Sequence, residues 1–179
     1  MKNFKQSTLV TGLALVLVAF SSSAFAQDAP KLSDAEIASV AVVANQNDID
    51  FANVALKKSK DAKILEFAKT MIADHQSVID LAVALVTKLK VTPQDNAVSK
   101  QYVANAKETI AMLNSKTDKT FGKAYVDNEV TYHKAVIAAV KTVLIPQAQN
   151  AELKALLEKV LPILDTHLHH AEMVQHQMK

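Results

Sequence analysis

The chain has 179 residues, with 20 basic residues against 18 acidic ones, no cysteine and only two glycines. Every basic residue is a lysine, so no arginine is available to form bidentate hydrogen bonds with phosphates or base edges, and nucleic-acid binding is not expected. The scarcity of glycine excludes a glycine-rich phosphate loop and with it the nucleotide-binding folds. Without cysteine the chain has neither a disulfide nor a thiol nucleophile. Abundant alanine, leucine, lysine and valine favour an all-helical protein.

The N-terminus has the pattern of a secretory signal peptide. Lys2 and Lys5 supply positive charge, residues 9–20 form an apolar run too short for a membrane span, and Ala24 and Ala26 frame a small-residue cleavage site. We therefore expect three parts, a cleaved signal peptide at 1–26, a flexible lead-in at 27–32 and a single helical domain at 33–179. The mature protein should be periplasmic, either free or associated with the envelope, and should have no transmembrane span.

After the predicted signal peptide, apolar residues recur at helical spacing in four long segments. Ser33 and Glu36 form a capping box at the start of the first segment, Asp61 can cap the second, and Pro146 should close the third. The main helices are predicted at residues 33–58, 62–90, 118–144 and from 149 to near the end, with a kink at Pro162 in the last. A shorter amphipathic piece lies between the second and third. The pattern predicts an all-α, ferritin-like four-helix bundle with a short crossover helix between the second and third main helices.

Ionisable side chains interrupt the apolar stripe of every main helix. At 100° per residue, His75 shares one face of its helix with Ile64, Met71 and Ile79. The same spacing places four further residues on inner faces, namely Asp48, Glu129, His133 and His167, and puts Asp74 at the edge of the second helix's apolar arc. Burial without partners would cost several kcal/mol for each group, so these side chains should meet one another, water or a metal ion.

Carboxylates and imidazoles converging from several helices suit a first-row transition metal. Glu129 and His133 lie four residues apart and can reach one point between helices. The paired Glu-x-x-His motifs of di-iron bundles are missing, so a single ion, Fe, Mn, Zn or Cu, is the better interpretation. The predicted ligands are His75, His133, His167 and Asp48 or Asp74, with Glu129 as a further candidate.

A different interpretation needs no metal. The same inner residues can form a buried polar network that fixes helix register, in a structural or interaction protein with an unidentified protein partner. On the opposite face of the last helix, His169 with Met173, or Glu172 with His176, could hold copper, but solvated surface histidines are the simpler interpretation. No serine elbow supports nucleophile chemistry, so an enzyme is less favoured than a binding protein.

Three ordered motifs resemble one known family. They are Phe67-Ala68-x-x-Met71-Ile72-x-Asp74-His75, Phe121-x-x-Ala124-Tyr125-Val126-Asp127 leading to His133, and Leu161-Pro162-x-Leu164-x-x-His167. Together they resemble domain-of-unknown-function family 4142, exported bacterial proteins with a ferritin-like bundle that are often labelled predicted outer-membrane proteins. The resemblance implies that Asp74, His75, His133 and His167 are characteristic polar positions, and that Asp48 stands where a glutamate is usual. It brings no established activity. A role in metal handling or envelope stress is the functional hypothesis.

Overall fold

The computed structural model describes residues 31–178. The predicted signal peptide at 1–26 and residues 27–30 of the lead-in lie outside this part of the chain. Leu32, at the end of the predicted lead-in, is buried, and its backbone N–H donates to Oε1 of Gln147 at 2.6 Å. Within residues 31–178, no helix is both long enough and apolar enough to cross a membrane.

The described chain is all helical, as the sequence predicts. Its elements are α1 (Asp34–Lys58), α2 (Ala62–Leu89), α3 (Ala97–Ser115), α4 (Asp118–Ala139), a π-helical turn (Val140–Leu144), the short α5 (Ile145–Gln147) and α6 (Ala151–Gln177). The capping box at Ser33 and Glu36 is present, and the Asp61 carboxylate accepts from the backbone N–H of Lys63 at 2.8 Å. These caps satisfy orphan donors in the first turns of α1 and α2.

Four helices form the bundle, and each packs against two others in the order α1, α2, α6, α4 and back to α1. The connecting helix α3 has 19 residues and lies mainly against the outside of α1. The bundle therefore has two antiparallel pairs, with the predicted crossover helix between the second and third main helices.

Pro146 and Pro162 both lie within helical structure. The third main helix was predicted to end before Pro146, but helical structure continues to Gln147. A proline ring normally clashes with the carbonyl four residues earlier, and here the wider π turn at Val140–Leu144 comes directly before it. The last helix runs unbroken through Pro162.

The core consists of two apolar clusters separated along the bundle axis. One, near the turn between α1 and α2, includes Phe51, Phe67, Met71, Phe121 and Tyr125. The other, near the opposite end, is formed largely by aliphatic side chains, among them Ile37, Val40, Leu144, Leu157 and Leu164. In each of the four bundle helices, the inner polar residues lie between the positions that supply these two clusters. The fold therefore holds a polar layer between two apolar ones.

Candidate metal centre

Five ionisable side chains make up the polar layer, and all are almost completely inaccessible to solvent. Asp48 on α1 and Glu129 on α4 are 0 % exposed, His133 on α4 is 1 % exposed, and His75 on α2 and His167 on α6 are each 3 % exposed. These are the five residues that the helical spacing placed on inner faces. The tertiary structure brings them together.

Each histidine uses one ring nitrogen to contact an acceptor outside the centre of the layer. His75 Nδ1 lies 2.7 Å from Asn45 Oδ1, His133 Nδ1 lies 3.0 Å from the backbone oxygen of Glu129, and His167 Nε2 lies 2.9 Å from Asp74 Oδ2. The amide nitrogen of Asn45 donates to the backbone oxygen of Ala41, which leaves its oxygen as the acceptor. All three contacts therefore place an N–H on the outward nitrogen and fix the tautomer of the neutral ring.

The remaining ring nitrogens are lone-pair acceptors that face the interior. His75 Nε2, His133 Nε2 and His167 Nδ1 are buried and make no hydrogen bond. The three rings bring ligand nitrogens within 4.8 Å of one another. Histidines that bind a metal typically donate their other N–H to a carboxylate, carbonyl or amide oxygen, and these three rings have that arrangement.

The two carboxylates complete the cluster. Asp48 Oδ2 lies 3.5 Å from His75 Nε2 and 3.6 Å from His133 Nε2, and Asp48, Glu129 and His133 form a second group whose ligand atoms lie within 4.8 Å of one another. For ligand atoms about 2.1 Å from a zinc-sized ion, the edge of a coordination tetrahedron is about 3.4 Å. The nitrogen–oxygen distances around Asp48 thus suit two atoms that share one ion.

Burial disfavours the charged form of each residue in the cluster. It raises the pKa of Asp48 to about 8, partly offset by the neighbouring Glu129 carboxyl. Burial, followed by the charge on Asp48, raises the pKa of Glu129 well above its usual range. Burial also lowers the pKa of His133 to about 4 and lowers the pKa values of His75 and His167. At neutral pH the Asp48 carboxyl is therefore largely protonated and the imidazoles are neutral, because a low-polarity interior disfavours every charged form.

Asp74 has a different position from the other predicted ligands. Its side chain is 46 % exposed, and it bonds the outward nitrogen of His167 instead of entering the inner layer. Asp74 is therefore positioned to orient the His167 ring rather than to bind an ion itself. Near the C-terminal end of α6, His169, Met173 and His176 are exposed. Within residues 31–178, the two groups in the core are the only sets of three His, Cys, Asp or Glu residues that could hold a metal ion.

Two residues of the site escaped the sequence analysis. Asn45 orients His75. Its position three residues before Asp48, on the same face of the helix, could have indicated this role. Tyr125 lies one turn before Glu129 and is fully buried, with no partner for its hydroxyl. Burial, followed by the electrostatic influence of the nearby Glu129 and Asp48 carboxyl groups, raises the pKa of the Tyr125 phenol well above its usual value, so the phenol stays protonated. In the sequence analysis, Tyr125 appears only within the family motif that begins at Phe121.

The fold and this cluster define a helical-bundle protein with a buried histidine–carboxylate centre. The chain belongs to the family described as "Domain of unknown function (DUF4142)", which matches residues 19–174. No curated protein and no solved structure matches the chain. The family expectation from the three motifs is confirmed.

Proposed function

We propose that the protein is exported to the periplasm and binds one divalent transition-metal ion in the core of its helical bundle. His75, His133 and His167 supply three nitrogens, and Asp48 supplies an oxygen, with Glu129 beside it as a further ligand or a counter-charge. The signal-like pattern of residues 1–26 supports export. The site suits a role in metal handling or in the response of the envelope to stress.

One observation carries the proposal: one buried nitrogen each of His75, His133 and His167 makes no hydrogen bond. The buried oxygens of Asp48 and Glu129 lie beside these nitrogens, and the polar partners within reach of the two carboxyls are each other and Asn128. A purely structural network would be expected to pair such atoms, because an unpaired buried polar group costs about 1–3 kcal/mol. A cation bound among them would satisfy several at once, which favours the metal over the network.

The donor atoms limit the choice of ion. Imidazole nitrogen suits zinc, iron, copper and nickel, and carboxylate oxygen suits manganese and other hard cations. A mixed set of three nitrogens and carboxylate oxygens is shared by Zn(II), Fe(II), Mn(II) and Cu(II), so we propose one of these four as the bound ion. Selection among them depends on supply in the compartment as much as on affinity.

Elemental analysis of the untagged protein, isolated from the periplasm without chelator, tests this function. We expect about one transition-metal ion per chain in the wild type and little or none in His75→Ala, which removes one of three nitrogens. His169→Ala is the matched control, because His169 is exposed and lies outside the centre. A wild type that stays metal-free after reconstitution with iron, manganese, zinc and copper would contradict the proposal.

A substitution outside the ligand set should weaken binding without abolishing it. Asp74→Asn keeps an oxygen that can accept from His167 Nε2 but removes the negative charge that makes the ring a better donor. We expect the affinity for Zn(II), measured by competition with a chelator, to fall roughly 10- to 100-fold. Asp80→Asn on the same helix, where Asp80 is exposed and accepts from Gln76, should leave the affinity unchanged. Equal affinities for the two variants would show that His167 does not bind the ion.

A further inference from the structure

An apolar cavity leads away from the polar layer along the bundle axis. Its volume is about 50 Å³, and side chains from all four bundle helices line it. Asp48, His75 and His133 form part of its wall, whereas Glu129 and His167 do not. The cavity therefore borders the polar layer at Asp48, His75 and His133.

The rest of the wall is largely aliphatic. It includes Ala41, Ala82, Leu85, Val136, Leu157 and Val160. On α1 the lining runs from Asp48 back to Ala38, ten residues, which corresponds to about 15 Å along a helix. The cavity is thus long and narrow, with one polar end.

A second hollow continues the first towards the end of the bundle. It shares Ala38, Leu85, Val86 and Leu153 with the first, and adds Asp34, Leu89 and Asn150 near the helix ends. Its outer residues, among them Asp34, Leu89 and Asn150, are half-buried. The two hollows together outline a path from the bundle end to the polar layer.

The size and chemistry of the cavity restrict what it can accept. About 10–15 Å³ of cavity volume is needed to hold one water molecule, so a cavity of about 50 Å³ has room for a few molecules of that size. Cavities with aliphatic walls stay dry and take up apolar atoms and small molecules, and they reject ions because desolvation is not repaid.

We propose that this cavity binds a small, uncharged, apolar molecule of the size of a diatomic gas and delivers it to an open coordination position on the ion. The position is the one on the face formed by Asp48, His75 and His133. This inference rests on the metal site proposed above, and it assigns to that site a class of ligand. The step is addition of a neutral ligand to the ion, with no bond broken and no electron transferred to a further partner.

The probes are xenon, which fills apolar cavities without coordinating, and nitric oxide, which adds to Fe(II). We expect xenon in the cavity of pressurised wild-type crystals, with or without metal, and addition of nitric oxide to the Fe(II)-loaded protein under anaerobic conditions. Ala82→Phe places a ring in the cavity and should remove the xenon. It should also slow addition of nitric oxide by roughly tenfold or more, because a filled core admits a ligand only when packing opens.

Ala84→Phe is the matched control, since Ala84 lies two residues away on the same helix and is exposed. It should keep the wild-type xenon site and rate. If Ala82→Phe does not fold, Ala82→Leu reduces the volume with a smaller side chain and takes its place. Iron content is measured for each protein, so that a slower rate cannot be confused with a lost ion.

The outcomes separate this inference from the metal site itself. A protein that retains none of iron, manganese, zinc and copper overturns both. A loaded protein without xenon in the cavity, or one in which Ala82→Phe and Ala84→Phe add nitric oxide at the wild-type rate, overturns the inference and leaves the metal site standing. A long-chain molecule found in the cavity by mass spectrometry of the purified protein also overturns it.

Discussion

Replacement of His133 by leucine is expected to make the metal-free protein more stable and to abolish its stabilisation by metal. In the empty state, His133 Nε2 is a buried acceptor without a partner, so its removal should raise the free energy of unfolding by about 1–3 kcal/mol. In the wild type, Zn(II) at a free concentration a thousand times its Kd should raise that free energy by about 4 kcal/mol. Since His133 belongs to both ligand groups of the core, the variant should show none of this increase.

Urea unfolding with and without Zn(II), followed by circular dichroism, measures both effects. His169→Leu is the control, because an exposed histidine contributes neither to the core nor to the centre. The opposite pattern would favour the structural-network interpretation. In that case His133→Leu would destabilise the protein, and Zn(II) would not change the free energy of unfolding of the wild type.

The affinity for Zn(II) should rise with pH, by roughly 50-fold between pH 6 and pH 8. Burial raises the pKa of Asp48 to about 8, so below that pH the empty site holds a proton on this carboxyl that the ion must displace. Each proton displaced gives about a tenfold change in affinity per pH unit, and the gain levels off above pH 8. The histidines add little to this slope, because burial lowers their pKa values and they are already neutral.

Titrations at fixed ionic strength, in competition with a chelator of known pH dependence, test this slope. Asp48→Asn should bind more weakly at pH 8 and should show a flatter pH profile, since the proton in competition with the ion has been removed. Glu129 has a raised pKa as well, and its ionisation on binding would steepen the wild-type profile. An affinity that does not change between pH 6 and pH 8 would show that the ion displaces no proton from either carboxyl on binding.

The Asp74 and Asn45 contacts explain why the site can form in a bundle without the Glu-x-x-His pairs of di-iron proteins. Each ring is held by a different kind of acceptor, a side-chain amide, a backbone oxygen or a half-exposed carboxylate. These contacts orient three inward nitrogens before any ion arrives, which reduces the cost of binding. They also connect the buried centre to the surface at one point, Asp74.

The sequence by itself determined the helices and which residues face inward. A period of 3.6 residues placed Asp48, His75, Glu129, His133 and His167 on apolar stripes, and the caps at Ser33 and Asp61 set two helix starts. These features are local, because they depend on the geometry of one helix and on residues within a few positions of each other. They could therefore be predicted without knowledge of any neighbour.

Only the tertiary structure decided the height and rotation at which the helices meet. The spacing gave Asp74 and Asp48 as alternative ligands. Packing of α6 against α2 places Asp74 outside the polar layer, where its carboxylate contacts His167. Packing of α1 places the Asp48 carboxyl within 3.6 Å of the inward nitrogens of His75 and His133. The role of Asn45, the unpaired hydroxyl of Tyr125 and the apolar cavity depend on the same contacts. The physical reason is that a shift of one helix by a single turn, about 5.4 Å, would separate these atoms completely while leaving every local pattern unchanged.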